Sequence, residues 1–190
     1  MVTVLLIISH WRVQAILITV QNKCILIINS YFPVDKRTMN LVDNDVLETL
    51  EAINSTIDDN EFDTIVWTGD INAVFSRNSV HVRAVDNYVS ENNLNKAWNK
   101  FDIDCTCTHE TNGITSISTI DHFFYNDAGT NFIEDAGVIN LLDNISDHCP
   151  IYCVVNCDLI PVKNQKETSC PKRPSWKKAK SEEKDNFVNV

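Results

Sequence analysis

The stretch Phe62-Asp63-Thr64-Ile65-Val66-Trp67-Thr68-Gly69-Asp70-Ile71-Asn72 is the part of the sequence that decides the fold. Residues 62–68 form a short, largely apolar run, which predicts a buried strand. The strand carries Gly69-Asp70-Ile71-Asn72 at its carboxyl end, where sheets covered by helices tend to bind ligands. A Gly-Asp pair after a strand is by itself usually an ordinary turn. Its meaning therefore depends on the rest of the chain.

Two further polar clusters lie beside apolar runs. Asp121 falls within residues 116–125, which look like a strand, and Ser146-Asp147-His148 comes directly before the apolar residues 149–157. An Asp-His pair is most often a cap or a surface feature, and a carboxylate in an apolar strand can be a satisfied buried group. The interpretation rests on the order of all three clusters together.

These residue types fit the cleavage of a phosphodiester. Asp70 could orient or deprotonate a water, and Asn72 could donate to a phosphate oxygen. Asp121 could accept a hydrogen bond from His148 and so fix its tautomer, as the third member of a triad does. Asp147 could ligate a metal ion, which would help the leaving oxygen.

Around these clusters the chain alternates strand-like and helical patterns. Val13–Val20 and residues 24–31 predict a hairpin, with residues 1–8 as one more strand. Apolar residues spaced three and four apart predict a helix that Thr38 could cap: Val42, Val46, Leu50, Ile53 and Ile57. Residues 84–92 predict a second helix, and residues 105–110 and 131–139 predict strands. Between them, residues 73–83 predict a loop whose Arg77 and Arg83 either contact DNA or lie on an ordinary surface.

Charge is distributed unevenly along the chain. The formal net charge is -10; residues 161–190 hold 8 basic and 4 acidic side chains, and residues 1–160 hold 8 and 22. A part this acidic does not bind nucleic acid by charge alone, but its carboxylates could hold a divalent cation. We expect a folded domain at 1–160 and a basic, largely disordered linker at 161–190 with a short helix near Ser175.

The seven cysteines contain no CxxC pair, so buried free thiols are favoured over zinc ligands. No stretch predicts a secretory signal or a membrane span. We expect an intracellular protein in a reducing compartment, which could be the nucleus.

Taken in order, these motifs resemble the endonuclease/exonuclease/phosphatase superfamily. Tyr31-Phe32-Pro33 looks like its Tyr-x-Pro motif, and Gly69-Asp70-Ile71-Asn72 like its Gly-Asp-Phe-Asn motif. Ile120-Asp121-His122 and Ser146-Asp147-His148 resemble its last two motifs. Within the superfamily the resemblance is to endonuclease domains of non-LTR retrotransposon polyproteins, truncated at the amino end. It implies an α+β fold: a partial four-layer α/β-sandwich with mixed, mainly antiparallel sheets flanked by helices.

The resemblance also implies roles for single residues. Tyr31 would hydrogen-bond the phosphate, Asp70 would orient or activate the water, and Asn72 would bind the phosphorane oxygens. Asp121 would hold His148, and Asp147 would lie at a site for Mg²⁺ or Mn²⁺. DNA would be the partner. One departure is that residues 1–30 contain neither Asp nor Glu, whereas the superfamily has a metal-binding Glu in its first half.

Several functions therefore stay open. The first is a DNA endonuclease of weak or no activity, and the second is a non-catalytic remnant of the same fold. A phosphatase or sphingomyelinase of the superfamily is a third. An acyl hydrolase is a weaker alternative, because Ser146, Asp147 and His148 are consecutive and no Gly-x-Ser-x-Gly elbow is present. The last is an interaction module that uses only the basic tail.

Overall fold

The computed structural model describes residues 2–20, 22–36, 40–103, 105–111, 114–140 and 144–156. All of them belong to one unit, Met1–Asp158. The linker predicted at 161–190 lies outside the described residues. No helix in the described part of the chain is both long and apolar enough to cross a membrane.

A six-stranded mixed sheet forms the centre of the fold, in the order β1-β2-β3-β4-β8-β5. Its strands are β1 (Val2–His10), β2 (Val13–Val20), β3 (Lys23–Tyr31), β4 (Thr64–Asp70), β5 (Asn95–Lys96) and β8 (Asp121–Tyr125). Strands β3 and β4 are parallel because the chain crosses over between them, and the other neighbours are antiparallel. The predicted hairpin of β2 and β3 is confirmed, and β1 extends it.

Two short hairpins complete the strands. One pairs β6 (Cys107–Thr111) with β7 (Ile114–Ser118), and the other pairs β9 (Ile133–Val138) with β10 (Ile151–Val155). The prediction of one strand over residues 116–125 was wrong, since β7 ends at Ser118 and β8 begins in the large sheet at Asp121. The strand predicted at 131–139 begins only at Ile133, after a single helical turn, α3 (Gly129–Phe132).

Both long helices differ from prediction at their starts. Helix α1 spans Asn44–Asp58, and the side chain of Asp43 caps it by accepting from the Asp45 amide. The proposed cap Thr38, outside the described residues, is therefore wrong. Helix α2 spans Val80–Glu91 with Ser79 as its N-cap, four residues earlier than predicted. The stripe Val82, Val85 and Val89 is buried, so packing extends the helix into the expected loop.

The two faces of the large sheet bury different cores. The side chains of Ile65 and Trp67 pack on the face covered by α1 and α2, against residues such as Val46, Ile53 and Val85. Val66 points to the other face and packs with Ile133 of β9. This alternation along β4 is the period of two that a strand imposes. The carboxyl ends of β3 and β4 lie next to the start of β8, where the predicted site residues are found.

Candidate active site

Three predicted site residues lie side by side across three strands. Tyr31 at the end of β3 is the register partner of Asp70 at the end of β4, and Asp70 is the partner of Asp121 at the start of β8. Directly paired residues point to the same face of a sheet. Asp70 and Asp121 follow Tyr31 by 39 and 90 positions in the chain, yet all three meet at the same end of the sheet.

His148 reaches this row from the segment before β10. Its Nδ1 lies 2.9 Å from Oδ2 and 3.2 Å from Oδ1 of Asp121. Desolvation lowers the pKa of His148, but the carboxylates of Asp121, Asp70 and Asp147 together outweigh it, so the pKa lies above its usual value. Partial burial raises the pKa of Asp121, and His148 offsets part of that rise. The pair is a carboxylate-histidine dyad that favours a charged imidazole.

Asp70 is the most perturbed carboxyl group of the row. Burial, with the like charge of Asp121 directly opposite, raises its pKa to about 6, against the opposing effects of His148 and Asn72. The backbone N–H of Asn72 donates to Oδ1 of Asp70 at 3.1 Å. Asp70 therefore changes its charge close to neutral pH, where a group that takes a proton from water works well.

Asn72 lies in a tightly held turn just beyond β4. Its backbone is in the left-handed region with φ 52°, a conformation that Asn tolerates better than most residues. The side-chain Nδ2 donates to the carbonyl of Phe32 at 2.9 Å. The Asn72 side chain also hydrogen-bonds Asp70, so Asn72 is a positioned donor at the carboxyl group.

Two buried histidines hold the same turn from behind. His81 Nε2 lies 3.0 Å from the carbonyl of Ile71, and His122 Nε2 lies 2.8 Å from the carbonyl of Ala73. Burial lowers the pKa of His122 to about 4, so its ring is neutral and Nε2–H donates. His122 belongs to the Ile120-Asp121-His122 motif, but it faces away from Asp121 and supports the turn.

A second turn presents Asp147 and His148. Ser146 Oγ accepts from the His148 amide at 3.1 Å, and Asn144 Nδ2 donates to the His148 carbonyl at 2.7 Å. Ser146 thus caps the turn while His148 Nδ1 faces Asp121. This arrangement does not favour the acyl-hydrolase alternative, which needs the serine hydroxyl on the histidine ring.

An open cavity of about 390 Å³ joins these residues. It is lined by Tyr31, Asp70, Asn72, Arg77, Asp147 and His148, among others. Arg83 lines a different cavity, with Val42 and Leu47, and its guanidinium donates to Asn78. Helix α2 begins before Arg83 and so separates the two arginines that were predicted to contact substrate together.

Three residues of the site were not predicted from the sequence. Thr106 is fully buried, and its Oγ1 accepts from the amides of Ile120 and Asp121 at 2.9 and 3.0 Å. Cys107 and Asp35 line the cavity. Among the described residues, none donates a hydrogen bond to either buried oxygen of Asp35. Only the position of Asp35 just after Tyr31-Phe32-Pro33 could have suggested it.

The chain resembles known proteins in its fold but not in its sequence. No family model matches the chain, and no curated protein matches it by sequence. Solved structures do match. The endonuclease domain of TRAS1, a telomere-specific non-LTR retrotransposon, superposes with a TM-score of 0.66 at 18% identity, covering 83% of this chain and 70% of that one.

Two further solved structures share the fold. The 3′ phosphatase NExo from Neisseria, bound to a product DNA hairpin, has a TM-score of 0.57 at 16% identity, covering 75% of this chain and 65% of that one. TDP2 from D. rerio, complexed with a single-strand DNA product, has a TM-score of 0.57 at 17% identity, with 82% and 67% covered. The predicted fold, of the endonuclease/exonuclease/phosphatase type, is thereby confirmed.

Proposed function

We propose that this chain is a phosphodiesterase domain that acts on DNA with a divalent metal ion. The observation that carries the proposal is the Asp121–His148 dyad, whose 2.9 Å contact lies beside Asp70 at the carboxyl ends of two parallel strands. A carboxyl group that titrates near neutrality can accept a proton from the attacking water, and a positive imidazole beside it can stabilise the negative charge that develops on the oxygens bound to phosphorus.

The residues divide the work by their chemistry. Asp70, as the carboxylate, accepts a proton from a water that attacks phosphorus. His148 and Asn72 donate hydrogen bonds to the non-bridging phosphate oxygens, whose negative charge grows as the water adds to phosphorus. Tyr31 and Arg77 line the same cavity and supply a hydroxyl and a fixed positive charge for the phosphate. The leaving oxygen takes up a proton from solvent, and Asp70 returns to solvent the proton that it took from the attacking water, so the net reaction is hydrolysis of the P–O bond.

The donor atoms of the site also fit a divalent cation. Asp147 and Asp35 line the cavity as carboxylates, and the buried oxygens of Asp35 accept no hydrogen bond from described residues. Oxygen ligands of this kind suit Mg²⁺ or Mn²⁺. Asp147 would hold the ion, with Asp35 as a second ligand, and the ion would neutralise charge on the leaving oxygen. Residues 1–30 add no acidic ligand. We therefore expect slow turnover.

Support for DNA as the substrate comes from solved structures that share the fold. Fold relatives include a phosphatase and TDP2 that were solved with DNA. The net charge of -10 opposes binding through a general basic surface, so recognition rests on local groups such as Arg77. The chain spans 61–70% of the lengths of the first four structures, and this likeness shows the fold alone, so an activity on DNA is part of the proposal.

Nicking of supercoiled plasmid with Mg²⁺ or Mn²⁺ tests the catalytic part. We expect slow conversion to the open circle, stopped by EDTA and reduced about 100-fold or more in His148→Ala, since general acid-base groups contribute that much. Asp102→Asn removes one exposed charge outside the site and should leave the rate unchanged. Nicking that persists in His148→Ala would overturn the proposal, and no nicking at all would support the non-catalytic remnant.

Binding of a labelled DNA duplex tests recognition separately. Arg77→Ala should weaken binding severalfold because it removes a charge from the cavity. Arg83→Ala is the matched control, since it removes the same charge from a different cavity. Equal effects of both variants in fluorescence anisotropy would contradict the proposed location of the phosphate.

A further inference from the structure

Cys107 and His148 lie opposite each other although 41 positions separate them in the chain. They form an isolated antiparallel bridge, flanked by hydrogen bonds from the Thr108 amide to the Asp147 carbonyl and from the Cys149 amide to the Thr106 carbonyl. Bonds on both sides of the pair mark a non-hydrogen-bonded pair, the closest cross-strand arrangement. The two side chains therefore face the same way at short range.

The side chain of Asp147 joins this pair. The Cys107 sulfur, a carboxylate oxygen of Asp147 and a ring nitrogen of His148 all lie within 4.8 Å of one another. Cys107 is only 6% exposed, whereas Asp147 is exposed, so the cluster is anchored on one side and open to solvent on the other. One sulfur, one nitrogen and one oxygen are a donor set for a borderline-soft cation.

Two features around the cluster favour a dication. The carboxylates of Asp147, Asp121 and Asp70 all act electrostatically on the Cys107 sulfur. Their combined negative charge attracts a positive ion, which would take the place of the thiol proton. In addition, His148 Nδ1 already lies on Asp121 at 2.9 Å. A carboxylate behind a histidine is the usual support for a metal-bound imidazole.

We propose that Cys107, Asp147 and His148 form a binding site for a thiophilic divalent cation, with Zn²⁺ as the best fit. The sulfur distinguishes this site from an oxygen-only Mg²⁺ site, because Mg²⁺ has little affinity for thiolate whereas Zn²⁺ binds it strongly. The ion engages His148 and Asp147, two groups of the proposed phosphodiesterase site. Zn²⁺ at this site therefore prevents His148 from taking part in catalysis. That consequence rests on the proposed function, whereas the binding of Zn²⁺ is independent of it.

Cobalt absorption tests the site without any activity. Co²⁺ added to the reduced, metal-free full chain should give a thiolate-to-metal charge-transfer band, which Zn²⁺ removes in one-to-one ratio. Cys107→Ser should abolish the band and weaken Zn²⁺ binding, measured by calorimetry, by more than about tenfold. Asp121→Asn, which removes the support behind His148 and one of the nearby negative charges, should weaken it about tenfold.

Two variants keep the test decisive. Cys24→Ser is the matched control, because Cys24 lies at the opposite end of β3 from Tyr31 and should leave the band unchanged. Asp147 is exposed, so Asp147→Asn should not unfold the protein. It should weaken Zn²⁺ binding while the circular dichroism spectrum stays unchanged. A band that survives in Cys107→Ser, or no band in the unchanged protein, would overturn the site. The plasmid assay with and without Zn²⁺ tests the consequence for nicking separately.

Discussion

At the scale of single residues, the site is a set of charges that the fold forces together. Asp70 and Asp121 are direct partners on neighbouring strands, which places like charges opposite each other. Among the described residues, His148 is the basic side chain that contacts Asp121. The Thr106 hydroxyl accepts from the Asp121 amide, and the backbone amide of Asn72 donates to Asp70, so both carboxyl groups are held in place.

Asp70 gives a prediction for stability against pH. Its pKa is raised to about 6 in the folded protein from a usual value of 3.8, so folding favours the protonated form. Stability should fall as pH rises from about 4 through 6, and the whole loss should be present above that range. Asp70→Asn removes the loss. With screening by partial exposure, we expect it to be about 1–2 kcal/mol more stable than the unchanged protein at pH 7.5.

Urea unfolding in EDTA at pH 4 and pH 7.5 measures this difference. The two proteins should have nearly equal free energies of unfolding at pH 4. Asp102→Asn, which alters an exposed carboxylate, should show no such divergence. A constant gap between Asp70→Asn and the unchanged protein at both pH values would rule out the raised pKa.

Gly69 is the residue where a side chain cannot be added. Its φ of 136° suits glycine alone, and a Cβ there would lie 1.9 Å from the carbonyl oxygen of Ser30 on β3. Gly69→Ala must push β3 and β4 apart just before Tyr31 and Asp70. We expect a loss of about 3 kcal/mol or more in the free energy of unfolding.

Thermal melts of two glycine variants check that expectation. At Gly137 a Cβ would meet only the ring of Tyr152, at 3.0 Å, and that side chain can shift. Gly137→Ala should therefore lower Tm by much less than Gly69→Ala. Equal losses would show that the contact with Ser30 is not what requires glycine at position 69.

At the scale of elements, the start of helix α2 determines much of the site. Ser79 Oγ accepts from the Val82 amide at 3.1 Å and so caps the helix. One turn of helix at this point buries His81 against the carbonyl of Ile71 and moves Arg83 away from Arg77. The helix thus begins four residues earlier than the apolar pattern indicates, and this early start decides which arginine reaches the cavity.

Removing that cap should weaken the whole domain slightly. We expect Ser79→Ala to lower the free energy of unfolding by about 1 kcal/mol, the usual contribution of a serine N-cap. Ser90→Ala is the control, since Ser90 donates only to the Asp86 carbonyl within the same helix and is exposed. Urea melts that show equal effects would contradict the capping role of Ser79.

The break between β7 and β8 is a second effect at this scale. Residues 116–125 have a continuous strand-like pattern, but the amides of Ile120 and Asp121 bond to Thr106 Oγ1. Those bonds come from a side chain 14 and 15 positions earlier in the chain. Local pattern cannot show them, and they allow Asp121 to enter the large sheet next to Asp70.

At the scale of the whole molecule, the two faces of the large sheet are covered unequally. The helices cover one face, whereas on the other face the side chains of Val4 and Leu6 are 62% and 61% exposed. Their register partners are Ile18 and Ile16, so the exposed apolar surface continues onto β2. A cavity of about 660 Å³, lined by Ile27 and Val66 among others, lies farther along the same face.

This surface should bind an apolar dye. We expect the folded protein to enhance the fluorescence of ANS, and Val4→Lys with Leu6→Lys to reduce that enhancement at little change in Tm. Thr3→Lys with Gln14→Lys adds the same two charges at exposed positions and removes no large apolar side chain. If both pairs reduced the signal equally, added charge rather than lost apolar surface would be the cause.

The fold could be predicted because its signals are local, and so could the choice of most candidate site residues. The strand before Gly69, the hairpin of β2 and β3, and the order of the motifs around Asp70, Asp121 and His148 are all properties of short segments. The superposed structures confirm the fold that this order indicates. The resemblance also named Tyr31 and Asn72, and in the structure both line the same cavity.

Only the tertiary structure decided the rest, because it depends on contacts between distant segments. The bridge of Cys107 to His148, the support from Thr106 and the separation of Arg77 from Arg83 follow from how strands pair and where packing lengthens a helix. The raised pKa of Asp70 likewise needs both burial and a neighbour 51 positions away. Short-range pattern carries neither desolvation nor long-range pairing, so these properties appear only once the chain is folded.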